Sequence, residues 1–430
     1  MTLDIPFLIF IVGFAAILIL RVPIALGMLA TSVFYFLAAG IDPGLMAEKV
    51  VTNLFSAFII IAVPLFVFTA KVMNTSKVSD MVYGFAHAMV GKVRGGLGHV
   101  NVIGSLIFSG MTGSAVADAS GVGILEVTQM RKHGYDAGFA CAVTVTSATI
   151  GPVFPPSIPM IFYAMLSGAS IGALFMGGMI PGILMSIALM VYIAYISNKR
   201  QYPMGEPFVL MTFLTATFKA LPALLTPVIL LGGIYSGIVT PTEAGALAAF
   251  YAIIIAFAVY RSMGIGQLWE VIVDTAKTTG VLSLIVGAAY TFSFIVAKEQ
   301  IPQMVGDFML GITDNKYVLL LIINIAFLIL GMFIDTSTIM LVFIPMVLPL
   351  VKTLGIDLTH FGVMIVLNMM IGLTTPPFGV LLFIVSGITK VPLQVIIKES
   401  APLIIALIVV LFLITYIPDL VLFLPNLFYS

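Results

Sequence analysis

The chain has 430 residues, 61% of them hydrophobic and 8% charged, with a formal net charge of zero. A soluble domain carries roughly 25% charged residues, so this composition leaves no room for one and puts nearly the whole chain in lipid, with about ten to twelve crossings at about 20 residues each. The neutral balance, with no long basic run, argues against nucleic acid as a partner, and the single Cys141 excludes a disulfide framework and argues against a thiolate metal cluster.

From the N-terminus, apolar stretches cover 5–20 and 24–40. Asp4 rather than a basic cluster precedes the first, and no small-residue cleavage site clearly follows. It reads as a retained helix and not as a signal peptide. The next stretch, 45–57, has the spacing of an amphipathic helix lying in the interface plane; 77–92, 265–277 and 300–311 share it, with ordinary loops as the alternative. In 77–92, Met81, Val82, Phe85 and Met89 fall on one face, with Lys77, Asp80, His87 and Lys92 mostly elsewhere. In 265–277, Leu268, Trp269, Ile272 and Val273 oppose Glu270, Asp274 and Lys277. An apolar run over 58–75 lies between the first two.

Segments 94–110 and 111–130 meet at Ser109-Gly110-Met111-Thr112-Gly113-Ser114, with Lys92, Arg94, Arg131 and Lys132 at the outer ends. That pattern predicts a helical hairpin entering and leaving by one face. Backbone can break at membrane depth only where protein or a water-filled cavity satisfies its polar groups, so the tip is buried or lines a cavity. The long segment 135–167 follows, broken at 146–157 around Gly151, Pro155 and Pro156. Proline removes an amide donor and pushes the residue before it out of the helical region. Two adjacent prolines nearly force an unwound stretch; a simple kink is the alternative. Apolar runs over 171–197, 218–238, 241–262 and 278–297 come next. A second hairpin, 316–352, has its tip at 331–338, and 358–388 is broken at 368–377 before a terminal run over 401–430.

The second hairpin and broken segment repeat the first at one constant offset, with no gap needed. Gly110-Met111 returns as Gly331-Met332, Gly134-x-Asp136 as Gly355-x-Asp357, and Gly151-x-x-x-Pro155-Pro156 as Gly372-x-x-x-Pro376-Pro377. The identities fall mainly on residues that set backbone shape. Paired breaks of this kind point to an inverted-repeat transporter with its site at the repeat interface. The predicted fold is an all-α polytopic membrane protein with two re-entrant hairpins (94–130, 316–352) and two broken helices (135–167, 358–388). Its predicted parts are a scaffold over 1–56, repeat 1 over 57–200, more scaffold over 201–276 and repeat 2 over 277–430.

Basic residues set the predicted orientation. With the first hairpin opening to the cytoplasm, Lys92, Arg94, Arg131, Lys132, Lys199, Arg200, Arg261, Lys390 and Lys398 share that side, and the other keeps mainly Lys49, Lys298, Lys316 and Lys352. This satisfies the positive-inside rule. It puts the second hairpin and both termini outside, so the repeats are inverted.

Tips and breaks are rich in hydroxyls and free carbonyls: Ser109, Thr112, Ser114, Ser147 and Thr149 in one half, Thr336, Ser337, Thr374 and Thr375 in the other. Hard oxygen ligands with at most one carboxylate suit a small monovalent cation such as sodium, and half-helix N-termini favour an anionic substrate. Of the acids in apolar segments, Asp335 sits at a break, where a cation would neutralise it. Asp118 has a structural hydrogen bond or cap as its alternative, Glu243 reads as a first-turn helix residue, and Lys298 faces a substrate path or snorkels to the surface. No GxSxG elbow, Walker A loop or GxGxxG fingerprint occurs. The reading is therefore not an enzyme, and energy comes from an ion gradient or another subunit.

At 109–123 (SGMTGSAVADASGVG), 151–159 (GPVFPPSIP), 331–338 (GMFIDTST) and 372–379 (GLTTPPFG) the chain resembles the large membrane subunit of TRAP (tripartite ATP-independent periplasmic) transporters, over essentially its full length. The resemblance implies a bacterial inner-membrane protein that works with a small four-helix membrane subunit and a periplasmic substrate-binding protein, using sodium to drive uptake of organic acids such as C4-dicarboxylates or sialic acid. Without the extra N-terminal helices of fused versions, the small subunit is expected as a separate polypeptide. The expected mechanism is an elevator in which hairpins and broken helices move against the scaffold. Rivals are a stand-alone sodium/dicarboxylate symporter, a cation channel and a non-transporting membrane scaffold.

Two sodium sites related by the repeat are expected: Gly110, Gly113, Ser114, Ser147 and Gly151 in one, Asp335, Thr336, Gly372 and Thr375 in the other. The substrate is expected between the tips, facing Ser114, Ala115, Val116, Ala117, Ser157, Thr374, Pro376 and Pro377, held by dipoles and hydroxyls because no Arg pair lies in the apolar core.

Overall fold

The structure, a computed structural model, describes residues 4–20, 22–56, 58–76 and 78–429; Lys77 of the predicted amphipathic face and Ala57 lie outside them. Every regular element among these residues is a helix, and a lone bridge pairs Arg94 with Met204. The chain is an all-α polytopic membrane protein. Among the described residues, seven helices are by themselves long and apolar enough to cross a membrane; eight shorter apolar helices accompany them.

The first helices are α1 (Ile5–Leu20), α2 (Ile24–Ala38), α3 (Gly44–Ser56), α4 (Ala62–Thr75) and α5 (Val78–Val90). The first hairpin is α6 (Gly96–Thr112) followed by α7 (Ala115–Ser120) and α8 (Val122–Lys132). Its tip falls at Gly113–Ser114, at the far edge of the predicted stretch, because Gly113 takes the left-handed φ of 59° that ends α6. Gly121 splits the returning arm a second time. The first broken segment is α9 (Ala137–Ser147) and α10 (Ile158–Ser167), with a single 3₁₀ turn and an unwound stretch between.

Next come α11 (Ile171–Arg200), α12 (Leu210–Tyr235), α13 (Pro241–Ile254) and α14 (Ile265–Lys298). The sequence reading divided α14 at 277/278, but it is one helix of 34 residues. Gly280 is the only glycine near that junction, and the helix contains no proline, so nothing there breaks the hydrogen-bond ladder. At 1.5 Å per residue it is about 51 Å long, against about 30 Å of bilayer hydrocarbon, which accounts for the amphipathic first turns. After α15 (Ile301–Ile312), the second hairpin is α16 (Lys316–Phe333) and α17 (Thr336–Thr353), and the second broken segment is α18 (Leu358–Gly372) and α19 (Val380–Thr389). The run expected over 401–430 is two helices, α20 (Leu393–Tyr416) and α21 (Asp419–Tyr429), because Pro418 cannot continue the first.

Two groups of helices emerge. Phe10 and Phe14 of α1 stack on Phe292 of α14, with ring centroids 4.6 and 5.0 Å apart, and α4 packs on α13 and α14. In the other group α9 and α18 lie innermost. Every residue from Gly138 to Ser147 and from His360 to Gly372 is buried, as suits helices apolar all round. One end of the molecule is polar. Arg200 pairs with Asp136 (3.3 Å) and Glu399 (2.9 Å), and Arg94 reaches Gln201. Tyr202 donates to Asp136 at 2.6 Å; burial first, then that bond, holds its phenol above the ordinary value.

Candidate functional site: a cavity between the hairpin tips and α4

A cavity of about 510 Å³ opens where the two tips meet. One wall carries Thr112, Gly113, Ser114, Ala115, Val116 and Ala117 from the first tip and Asp335, Thr336 and Ser337 from the second. The lining also includes α4, with Lys71 and Asn74, and α14, with Thr278 and Leu282.

The tips are built alike. Ser114 caps α7, its Oγ accepting from the Ala117 amide at 3.4 Å. Asp335, at the matching position of the second repeat, caps α17, Oδ1 accepting from the Thr338 amide (3.1 Å) and Oδ2 from the Thr338 hydroxyl (2.5 Å). Capping satisfies amides that a helix start leaves unpaired. Asp335 is exposed to the cavity, and the adjoining Thr336 hydroxyl is buried with no protein partner. An exposed carboxylate beside an unclaimed hydroxyl is an arrangement that can accept a hard cation.

The remaining predicted residues divide. At Gly113 a Cβ would lie 2.6 Å from the Pro156 carbonyl oxygen, so the first tip rests on the first break; Gly151 stands against the Ser114–Ala115 backbone, where a Cβ would lie 3.7 Å from Ser114 C. Gly113, Ser114 and Gly151 are therefore together. Gly110 instead faces Pro227 of α12, and buried Ser147 donates to Asn101 Oδ1 at 2.7 Å, a turn before the break. In the second half Gly372 lies against Gly331, backbone to backbone, with a Cβ at Gly372 only 2.7 Å from Gly331 Cα.

Part of the expected substrate surface lies outside this cavity. Ser157, Thr374, Pro376 and Pro377 do not line the cavity. Ser157 caps α10 and donates to the Pro152 carbonyl, while Thr374 and Thr375 turn back to the Ile371 carbonyl at 2.8 and 2.7 Å and close the end of α18. Both double prolines are cis. Lys298 is exposed at the end of α14, its Nζ 5.6 Å above the Tyr35 ring, away from the cavity. Glu243 forms a capping box with Thr240, as a first-turn residue would. Asp118 is fully buried in α7, and neither carboxylate oxygen has a hydrogen-bond partner; Glu126 of α8 is in the same condition.

Sequence reasoning missed the part of the lining that α4 and α14 supply. Lys71 is the only cation among the described residues lining the cavity, and its Nζ donates to Thr278 Oγ1 at 3.0 Å. A lone charge near the end of the apolar run 58–75 was its signal. It also missed the asparagines. Asn101 joins α6 to α9 through Thr144 (2.7 Å), and Asn324 joins α16 to α18 through Asn368 (2.8 Å). Asn368 holds in the second repeat the position that Ser147 holds in the first, so the constant offset carried that signal.

Residues 11–420 match the family model described as tripartite ATP-independent periplasmic transporter, DctM component. The chain is 44% identical over 379 residues to the sialic acid TRAP transporter large permease protein SiaM of Vibrio cholerae, covering 86% of this chain and 87% of that one. It is 37% identical to the C4-dicarboxylate TRAP transporter large permease protein DctM of Pseudomonas aeruginosa (86% of each chain) and 36% identical to the 2,3-diketo-L-gulonate TRAP transporter large permease protein YiaN of Escherichia coli (88% and 89%). Among solved structures, the YdaH transporter of Alcanivorax borkumensis, described as having an unusual topology, aligns over 87% of this chain and 88% of its own with a TM-score of 0.61. At 13% identity that likeness shows the fold alone.

Proposed function

The chain belongs to the TRAP transporter family as its DctM component, a multi-pass inner-membrane transport protein and not an enzyme, and on that premise we propose that it takes up an organic acid anion driven by a sodium gradient. The carrying observation is the cavity at the tips, lined by Asp335, the unclaimed Thr336 hydroxyl and Lys71. Asp335 and Thr336, with the nearby backbone of Gly372, hold one sodium. Gly113, Ser114 and Gly151 supply backbone and hydroxyl oxygens for a second. The acid binds between the tips.

The two groups of helices suggest how it moves. Hairpins and broken helices form one body, and α4, α13 and α14 belong to the other, so sliding the first past the second carries the cavity across the membrane. The repeats are inverted about it. The acid arrives from a periplasmic substrate-binding protein, and a small four-helix subunit packs against the fixed wall. The names of the relatives support a carboxylic acid of the sialic acid, C4-dicarboxylate or diketogulonate type.

Proteoliposomes test this. With the small subunit and the binding protein both supplied, an inward sodium gradient should drive saturable accumulation of sialic acid or succinate, and omission of any component should stop it. Uptake by the single chain would move the reading to a stand-alone symporter, and ungated ohmic current to a channel.

A further inference from the structure

Among the described residues, Lys71 and Asp335 are the only charged ones lining the cavity. An ammonium in a membrane protein is costly unless it has a partner or a task, and Lys71 has little local employment. Among the described residues no carboxylate lies within ion-pair distance of it. Its single hydrogen bond goes to Thr278 Oγ1, whose own proton goes to the Asp274 carbonyl at 2.8 Å. An ammonium carries three donors, so two remain for the cavity. Lys71 also borders a smaller hollow of about 200 Å³ lined by Glu270 and Asp274, so a solvated structural lysine is the competing role.

We propose that Lys71 is the residue that recognises the acid group of the substrate, and that its hold depends on a cation at Asp335. This inference rests on the transport reading above. The described lining carries one positive and one negative charge, so without the cation Asp335 offsets the field an anion would meet. With Asp335 neutralised the described lining is left with a net positive charge at Lys71. Selection of the acid thus resides on α4, outside both hairpins.

The test restores the charge chemically. Lys71→Cys is made in the full chain and purified with the small subunit; Cys141 is buried and out of reach of water-soluble thiol reagents. Sodium-dependent binding of sialic acid and of succinate is measured before and after aminoethylation, which rebuilds a lysine-like ammonium, or methylthiolation, which adds bulk alone. Losing a hydrogen bond to a charged group weakens binding about ten- to a hundredfold. That loss is expected in Lys71→Cys, recovery only on aminoethylation, and partial retention in Lys71→Arg. Equal binding before modification, recovery with either reagent, or recovery with neither while Lys71→Arg also fails would each overturn the assignment. If wild-type protein binds neither acid, the transport reading itself fails, which separates the two outcomes.

Discussion

The two repeats share a backbone plan and divide its duties unequally. Ser114 and Asp335 occupy one position of the repeat and cap corresponding helices, yet only the second brings a charge to the cavity. Gly110 and Gly331 match in sequence, but one faces Pro227 and the other Gly372. Asp118 and Glu126 are buried without partners in the first returning arm; their counterparts in the second repeat, Ile339 and Val347, are apolar. A repeat fixes where the chain turns, and the residues placed on the turns decide what each half does.

The sharpest test removes the charge and keeps the cap. We predict that Asp335→Ser leaves stability nearly unchanged, since serine caps about as well as aspartate, while sodium affinity falls about a hundredfold, the loss of a charged contact worth about 3 kcal/mol. Ser114→Ala should cost its cap, about 1 kcal/mol, and one neutral ligand of the other sodium, a smaller loss of sodium affinity than in Asp335→Ser. Sodium titrations of substrate binding would decide it. Unchanged sodium affinity in Asp335→Ser would remove the second cation site.

A second comparison uses the matched glycines. At Gly372 a methyl group meets Gly331 backbone at 2.7 Å, whereas at Gly151 its nearest neighbour is the Ala148 carbonyl at 3.3 Å. Backbone cannot swing aside as a side chain can. Gly372→Ala should therefore lower stability by about 2–3 kcal/mol and Gly151→Ala by about 1 kcal/mol or less. Thermal unfolding midpoints in detergent would show the order, and equal midpoints would contradict the asymmetry.

How much of this was legible in the sequence follows from the same contrast. Breaks forced by Gly and Pro, at Gly113, Gly151, Gly372 and the double prolines, announce themselves because they act on local backbone. Helix continuity through 277/278 did not, since an amphipathic first part and an apolar second part look like two elements until no breaker is found between them. Thr374 and Thr375 look like ligands in sequence because hydroxyls at a break are available in principle; the fold adds that both protons go to the Ile371 carbonyl, which leaves oxygen lone pairs alone. Lys71 was hidden for the opposite reason. The sequence shows only a lone charge in an apolar run; that it shares a cavity with Asp335, from the far half of the chain, is carried by no local pattern.

The buried acids of repeat 1 give a third prediction, of opposite sign. A buried polar group without a partner costs about 1–3 kcal/mol, and Val347 shows that the fold accepts an apolar residue at the matching place. Glu126→Met should raise stability by about 1–2 kcal/mol. A lower unfolding midpoint would mean that Glu126 holds a partner, such as a water or an ion, that stabilises the fold.

The smallest effect concerns the two aspartates that open the broken helices. Asp357 caps α18 through the amides of Thr359 (2.7 Å) and His360 (3.0 Å). Asp136 makes no cap; it accepts from Tyr202 and pairs with Arg200 at the polar end, where its side chain is 64% exposed. A lost cap costs about 1 kcal/mol and is insensitive to salt because it is short and local. An exposed ion pair is worth about 0.2–1 kcal/mol and weakens as salt rises. Asp357→Ala should thus be destabilised by a similar amount at low and high salt. Asp136→Ala should show a smaller loss that shrinks toward the Tyr202 bond alone as salt increases. If the two variants respond to salt alike, the aspartates are doing one job in both repeats and the division of duties fails at this position.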